Sequence, residues 1–311
     1  MKTEMIGIVG TGNIGACMVT LSIGNGLRTI VVVHSEQGKQ RCMKIVEENF
    51  ADLKAYGLVT DENIEAAMKL LKITFNYEEL QMADFILEAT SENLKVKKEV
   101  YENIERVCSD DTIIASSTSS ITADELAGLV RVKERLVAAH PFQPAHLLPL
   151  VELVGSKFSS EKAIEKAREV LEKLKRKVVT LHKDIPGFIV NRLAQAMFRE
   201  SLYMIEQGAA TVADIDKAIK YAVGMRYASI GLLEYYDNVG FELERDIALN
   251  VYPDLCNARE IQDITKEGIA SGNNGMNAGK GLYDWDEASK EDFRKRKIAP
   301  YLESFDWDLP S

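Results

Sequence analysis

A chain of 311 residues, 46% hydrophobic and 28% charged, has the balance of a globular protein large enough for two domains. Its net charge of −10 argues against nucleic acid or an anionic membrane surface as a partner, since both attract basic faces. No apolar run approaches the ~20 residues that a membrane-spanning helix requires.

In chain order, the first apolar run predicts a strand over Met5–Gly10, with no secretory leader before it. Further strands are predicted over Thr29–His34, Lys72–Phe75, Ala83–Glu88, Thr112–Ser116, Arg135–His140, Leu150–Val154 and Lys177–Leu181. Helical patterns fill the gaps, and between the second and third strands two of them follow one another, from about Gln37 to Tyr56 and over Asp61–Leu70. The breakers in Lys183-Asp184-Ile185-Pro186-Gly187 end this alternation. From Phe188 to about Ala258 the apolar spacing is helical throughout, and the tail after Gly272 reads as a loop and then a charged helix. The pattern predicts an α/β, Rossmann-type dinucleotide-binding domain over 1–184 and an all-α domain over 185–311. Cys17, Cys42, Cys108 and Cys256 lie far apart without CxxC spacing, as expected of inert thiols in a reducing cytosol and not of a metal site.

Gly10-Thr11-Gly12-Asn13-Ile14-Gly15 fits G-x-G-x-x-G between a predicted strand and a helix, the context that gives this pattern its meaning. The glycines allow a tight turn and close approach of a pyrophosphate, to which Asn13 and Ile14 would present backbone N–H groups at the helix start. At the end of the second strand, where NAD enzymes usually carry an acid for the adenosine ribose, stands His34, followed by Ser35, Lys39 and Arg41. These residues tolerate a 2′-phosphate, so NADP is favoured over NAD.

Four segments place polar residues where a sheet protein would not need them. Ser116-Ser117-Thr118-Ser119-Ser120 follows one strand, His140-Pro141-Phe142-Gln143-Pro144 ends the next, Glu152 lies inside the apolar run Leu148–Val154, and Asn191 follows Pro186-Gly187-Phe188-Ile189-Val190 at the start of the second domain. A carboxylate flanked by Val151 and Leu153 is costly to bury without a partner. His140 is the natural one, since the pair fixes the imidazole tautomer and stabilises the imidazolium.

With these motifs, and with Glu92-Asn93-Leu94-Lys95-Val96-Lys97-Lys98, Pro186-Gly-Phe-Ile-Val-Asn-Arg192 and Gly279-Lys-Gly-Leu-Tyr283, the chain resembles the 3-hydroxyacyl-CoA dehydrogenase superfamily over nearly its whole length. The resemblance implies that His140 is the general base, Glu152 its orienting partner, and Ser119 and Asn191 the groups holding the reacting oxygen. It also implies that Glu92 and Lys97, with Ser117, lie at the nicotinamide half of the cofactor, and that the helical half forms a homodimer.

Two features point away from a coenzyme A thioester, and the second resembles the free-acid branch of lambda-crystallin, L-gulonate 3-dehydrogenase and L-carnitine dehydrogenase. The positions expected to grip coenzyme A hold Phe50 and Gly57, although Lys54 could substitute. Gly224-Met225-Arg226-Tyr227-Ala228-Ser229-Ile230-Gly231 supplies Arg226, suited to binding a carboxylate. Gln143, standing where relatives have asparagine, lies beside the base and joins the substrate set. The expected function is dehydrogenation of a small 3-hydroxy carboxylic acid. The alternatives are a 3-hydroxyacyl-CoA dehydrogenase and a nucleotide-binding structural protein.

Overall fold

Eight apolar runs pair into one sheet in the computed structural model, which describes residues 5–311. The strands are β1 (Met5–Val9), β2 (Arg28–Val32), β3 (Leu71–Thr74), β4 (Phe85–Glu88), β5 (Ile113–Ser116), β6 (Leu136–Pro141), β7 (Leu150–Gly155) and β8 (Lys177–Leu181). Their order is β3-β2-β1-β4-β5-β6-β7-β8, so every predicted strand is present and the first six follow the dinucleotide-binding arrangement. The chain reverses direction at β7, which runs antiparallel to β6 and parallel to β8. That reversal sets His140 directly across from Glu152 on neighbouring strands.

Helices α1 (Asn13–Gly24), α2 (Glu36–Ala55), α3 (Asp61–Met68), α4 (Leu94–Val107), α5 (Ala123–Ala127) and α6 (Glu161–Lys173) join the strands. Helix α1 is buried from Gly15 to Gly24, as a helix apolar all round must be. Helices α2 and α4 start on side-chain caps: Ser35 Oγ accepts from Gly38 N at 3.0 Å, and Asn93 Oδ1 from Lys95 N at 2.9 Å.

The chain divides into two units, one of residues 5–188 with Ile298–Ser311 and the other Ile189–Lys297. The second holds α7 (Val190–Glu206), α8 (Val212–Ala218), a π-helical turn (Ile219–Gly224), α9 (Met225–Tyr227), α10 (Leu232–Val239), α11 (Phe241–Val251) and α12 (Asp263–Ala270). Helix α13 (Glu287–Leu302) begins there and ends in the first unit. The division at 184/185 leaves the final residues in the helical half, whereas the structure groups them with the first unit. Their apolar side chains explain this: Tyr301, Leu302, Phe305 and Leu309 pack on its core, and Trp307 lies over Gly24.

Candidate active site

The glycine loop leaves β1 at the point where strand order reverses, between β2 and β4, which is where open α/β sheets bind ligands. Gly10 has φ +113°, a conformation that L side chains rarely adopt. A Cβ on Gly15 would lie 2.1 Å from the Gly10 carbonyl oxygen, so strand and helix approach too closely for any side chain. Gly12 instead borders open space, and no side chain caps the first turn of α1. Bare N–H groups of Asn13, Ile14 and Gly15 beside that space suit a dinucleotide pyrophosphate.

Around the loop, Arg41 Nε donates to the Thr11 carbonyl oxygen at 3.2 Å and Nη2 reaches Thr11 Oγ1 at 3.5 Å. His34 is exposed past the end of β2, Ser35 caps α2, and Lys39 pairs with Glu36 at 3.6 Å. Ser35, Lys39 and Arg41 thus each have a partner within the protein, and the corner also holds the carboxylate of Glu36.

On the opposite half of the sheet, His140 Nδ1 lies 3.1 Å from Glu152 Oε2, both side chains being nearly inaccessible. The ring is flanked by Phe142 at 4.5 Å and Phe188 at 5.6 Å between centroids. A carboxylate accepts only, so Nδ1 carries the proton and the Nε2 lone pair is left available. Nε2 has no hydrogen-bond partner among the described residues. The arrangement can take a proton at Nε2 and stabilise the resulting cation through Glu152.

Beyond β5, the Ser/Thr run sorts itself by hydrogen bonding. Ser116, Thr118 and Ser120 donate their hydroxyls to Glu88 or Glu92, while those of Ser117 and Ser119 have no partner among the described residues. Glu92 Oε1 accepts from Thr118 Oγ1 at 2.5 Å and from Ser119 N, Ser120 N and Ser120 Oγ at 3.0 Å each. Burial alone would raise the carboxyl, but these donors and the nearby Lys97 outweigh it and hold Glu92 down to about 2. Lys97 is 1% exposed, with Nζ 3.0 and 2.9 Å from the oxygens of Glu88 and 3.5 Å from Glu92 Oε2. Sequence reasoning missed Glu88. Its signal resembled that of Glu152, an acid in an otherwise apolar strand run, here at the strand's end.

Gln143 is exposed two residues past the end of β6. In the second unit, Asn191 lies in the first turn of α7, and Arg226 lies in α9 directly after the π-helical turn. Arg226 is exposed, with its guanidinium 4.2 Å from the Tyr235 ring centroid, and no carboxylate pairs with it among the described residues.

A dinucleotide-binding sheet with an acid-paired histidine at a strand end is consistent with a nicotinamide-linked oxidoreductase. Comparison with known proteins agrees. The family model "3-hydroxyacyl-CoA dehydrogenase, NAD binding domain" matches residues 5–185, and that of the C-terminal domain matches 187–285. The chain belongs to this family, and it is an NAD(P)-linked oxidoreductase of the 3-hydroxy/3-oxo type. It is 34% identical to L-carnitine dehydrogenase of Oceanobacillus iheyensis over 228 residues, 73% of each chain. Among solved structures it is similar to (S)-3-hydroxybutyryl-CoA dehydrogenase from Ralstonia eutropha, at 26% identity with TM-score 0.76, covering 92% of this chain and 100% of that one. An NAD+-dependent 5-formyl-3-hydroxy-2-methylpyridine 4-carboxylic acid 5-dehydrogenase shares the fold, with TM-score 0.87, 23% identity and 97% coverage of both chains.

Proposed function

We propose that the protein interconverts a small 3-hydroxy carboxylic acid, free and not bound to coenzyme A, with its 3-oxo form, using His140 as general base and acid. The observation that supports this reading is the 3.1 Å contact between His140 Nδ1 and Glu152, which leaves Nε2 without a partner among the described residues and so available for proton transfer. Gly10, Gly12, Asn13, Ile14 and Gly15 hold the dinucleotide's pyrophosphate, and Ser117 and Glu92, with Lys97 behind it, meet its nicotinamide half. When bound, the cofactor supplies the hydride acceptor for oxidation of the alcohol. His140 Nε2 accepts the hydroxyl proton, Glu152 stabilises the imidazolium, and the hydroxyl of Ser119 and the amide of Asn191 hold the reacting oxygen. In the reductive direction His140 returns the proton.

The free-acid preference rests on Arg226, which pairs with no acid among the described residues and is braced on Tyr235, leaving its outer N–H pairs for a carboxylate. It rests also on the inserted helices: Phe50 is core, Gly57 has no side chain, and Lys54 is paired with Asp61 at 2.6 Å. The Tyr235 face is occupied by Arg226, so a substrate ammonium would have to use Tyr227 or Tyr236. NADP is assigned as the preferred cofactor, on the absence of an acid at His34 and the presence of Arg41 beside Thr11. We place the protein in the cytoplasm, where buried free Cys17, Cys42 and Cys108 stay reduced, and assign it as a homodimer.

Nicotinamide fluorescence titration with NADPH and NADH tests the cofactor, and oxidation of the better-bound form by free 3-oxo acids or acetoacetyl-CoA tests the substrate. Turnover of free acids that Arg226→Met weakens through KM supports the reading. Turnover confined to the thioester, indifferent to Arg226, overturns it.

A further inference from the structure

Beneath the serine loop lies a buried polar cluster, of which the reading above uses only Lys97, behind Glu92. Glu88 is 0% exposed and every lone pair of its carboxylate is engaged. Thr90 N and Oγ1 donate to Oε1 at 2.8 and 2.5 Å, Ser116 Oγ and Tyr101 OH donate to Oε2 at 2.7 and 2.9 Å, and Lys97 Nζ bridges both oxygens. A buried ion pair seldom stabilises a fold better than an apolar pair of equal volume, so its charge calls for a local purpose.

The connection runs outward. Lys97, fixed by Glu88, stands 3.5 Å from Glu92 Oε2, and the other oxygen of Glu92 gathers four donors from Thr118, Ser119 and Ser120. A loop of five consecutive hydroxyl residues has little of its own to order it. Here it is clamped by its backbone and by its structural hydroxyls, while the Ser119 hydroxyl stays free. We propose that Glu88 is a positioning residue: through Lys97 it fixes Glu92, and Glu92 holds Ser119 in the geometry that the substrate meets. The inference rests on the reading above that Ser119 contacts the reacting oxygen.

The test compares Glu92→Gln with the paired variant Glu88→Gln/Lys97→Met, which removes both buried charges together. His140→Ala serves as reference, and thermal melts and NAD(P)H fluorescence titrations check folding and nucleotide binding. At saturating nucleotide the paired variant should lose about 10- to 100-fold in kcat/KM for the substrate, because misplacing one contact group costs that much. The charged and titratable groups around Glu92 are Lys97, with Glu88 and Tyr101 behind it. Lys97 is one of the groups that hold Glu92 low, beside the donors of Thr118 and Ser120, so without it the acid limb that Glu92 sets on kcat/KM should move to higher pH. A purely structural pair would lower the melting temperature and leave both kcat/KM and its pH profile at parental values, and that result would overturn the proposal. Should the paired variant not fold, Glu92→Gln decides. A fall in kcat/KM for the substrate at saturating nucleotide supports the clamp, and parental kinetics sink it. Turnover retained by His140→Ala would instead indict the site reading, whatever the pair does.

Discussion

At the residue scale the site depends on which nitrogen carries a proton. Glu152 can only accept, so His140 offers the Nε2 lone pair. A glutamine at 152 can donate to Nδ1 and trap the opposite tautomer. Glu152→Gln should therefore lower kcat by about 10³–10⁴ with little change in shape, and His140→Ala by about 10²–10⁴. Both should leave NAD(P)H affinity nearly intact in the fluorescence titration, and equal loss of binding and turnover would make the pair structural. Gly15 gives a contrasting case. Its Cβ would meet a backbone oxygen at 2.1 Å, so Gly15→Ala should cost about 1–3 kcal/mol in urea unfolding. It should also weaken nucleotide binding, because the start of α1 must move. Much of this was legible in the sequence, since glycines at fixed spacing and an acid inside an apolar run each violate a simple pattern for a reason. What stayed hidden was the division among the hydroxyls of residues 116–120. Composition marks all five alike, and only the placement of Glu88 and Glu92 separates the engaged from the free.

At the element scale, all eight strands could be read because each is a short apolar run between breakers, and the inserted helices because their periodicity is long. The reversal at β7 could not, since direction depends on how the 142–149 connection packs and not on the strand's own residues. That connection carries His146, whose Nδ1 lies 3.3 Å from Cys17 Sγ on α1. Burial pushes the His146 imidazole down to about 4, and the charge of Arg176 adds to the effect. The unfolded chain binds this proton near pH 6.5, so as pH falls from about 6.5 toward 4 the unfolded state alone gains it. The native state should lose on the order of 3 kcal/mol across that window and nothing more from this group below it. Urea unfolding at stepped pH would show the slope above the carboxylate range, and His146→Gln should flatten it. A slope equal to that of the variant would mean that the loop opens to let His146 ionise in the native state.

At the scale of the whole molecule the two units differ in what they bury. The first has a continuous core on both faces of its sheet, whereas between 189 and 297 only Leu202 and Ile215 are buried hydrophobic residues among those described. On the same stretch Leu233 is 81% exposed and Phe241 77%, with Met197, Met225 and Leu249 also open. Periodicity announced these helices but could not say whether their surplus apolar faces meet one another or a second chain. Patches of this extent are uncommon on monomers, and burial against another copy would supply the core that the unit lacks. Sedimentation at micromolar concentration should accordingly give twice the chain mass. The unfolding temperature should rise with protein concentration, because dissociation is linked to unfolding. A monomer whose melting temperature is independent of concentration would require these helices to fold on themselves, and would remove the dimer from the proposed function while leaving the His140–Glu152 chemistry untouched.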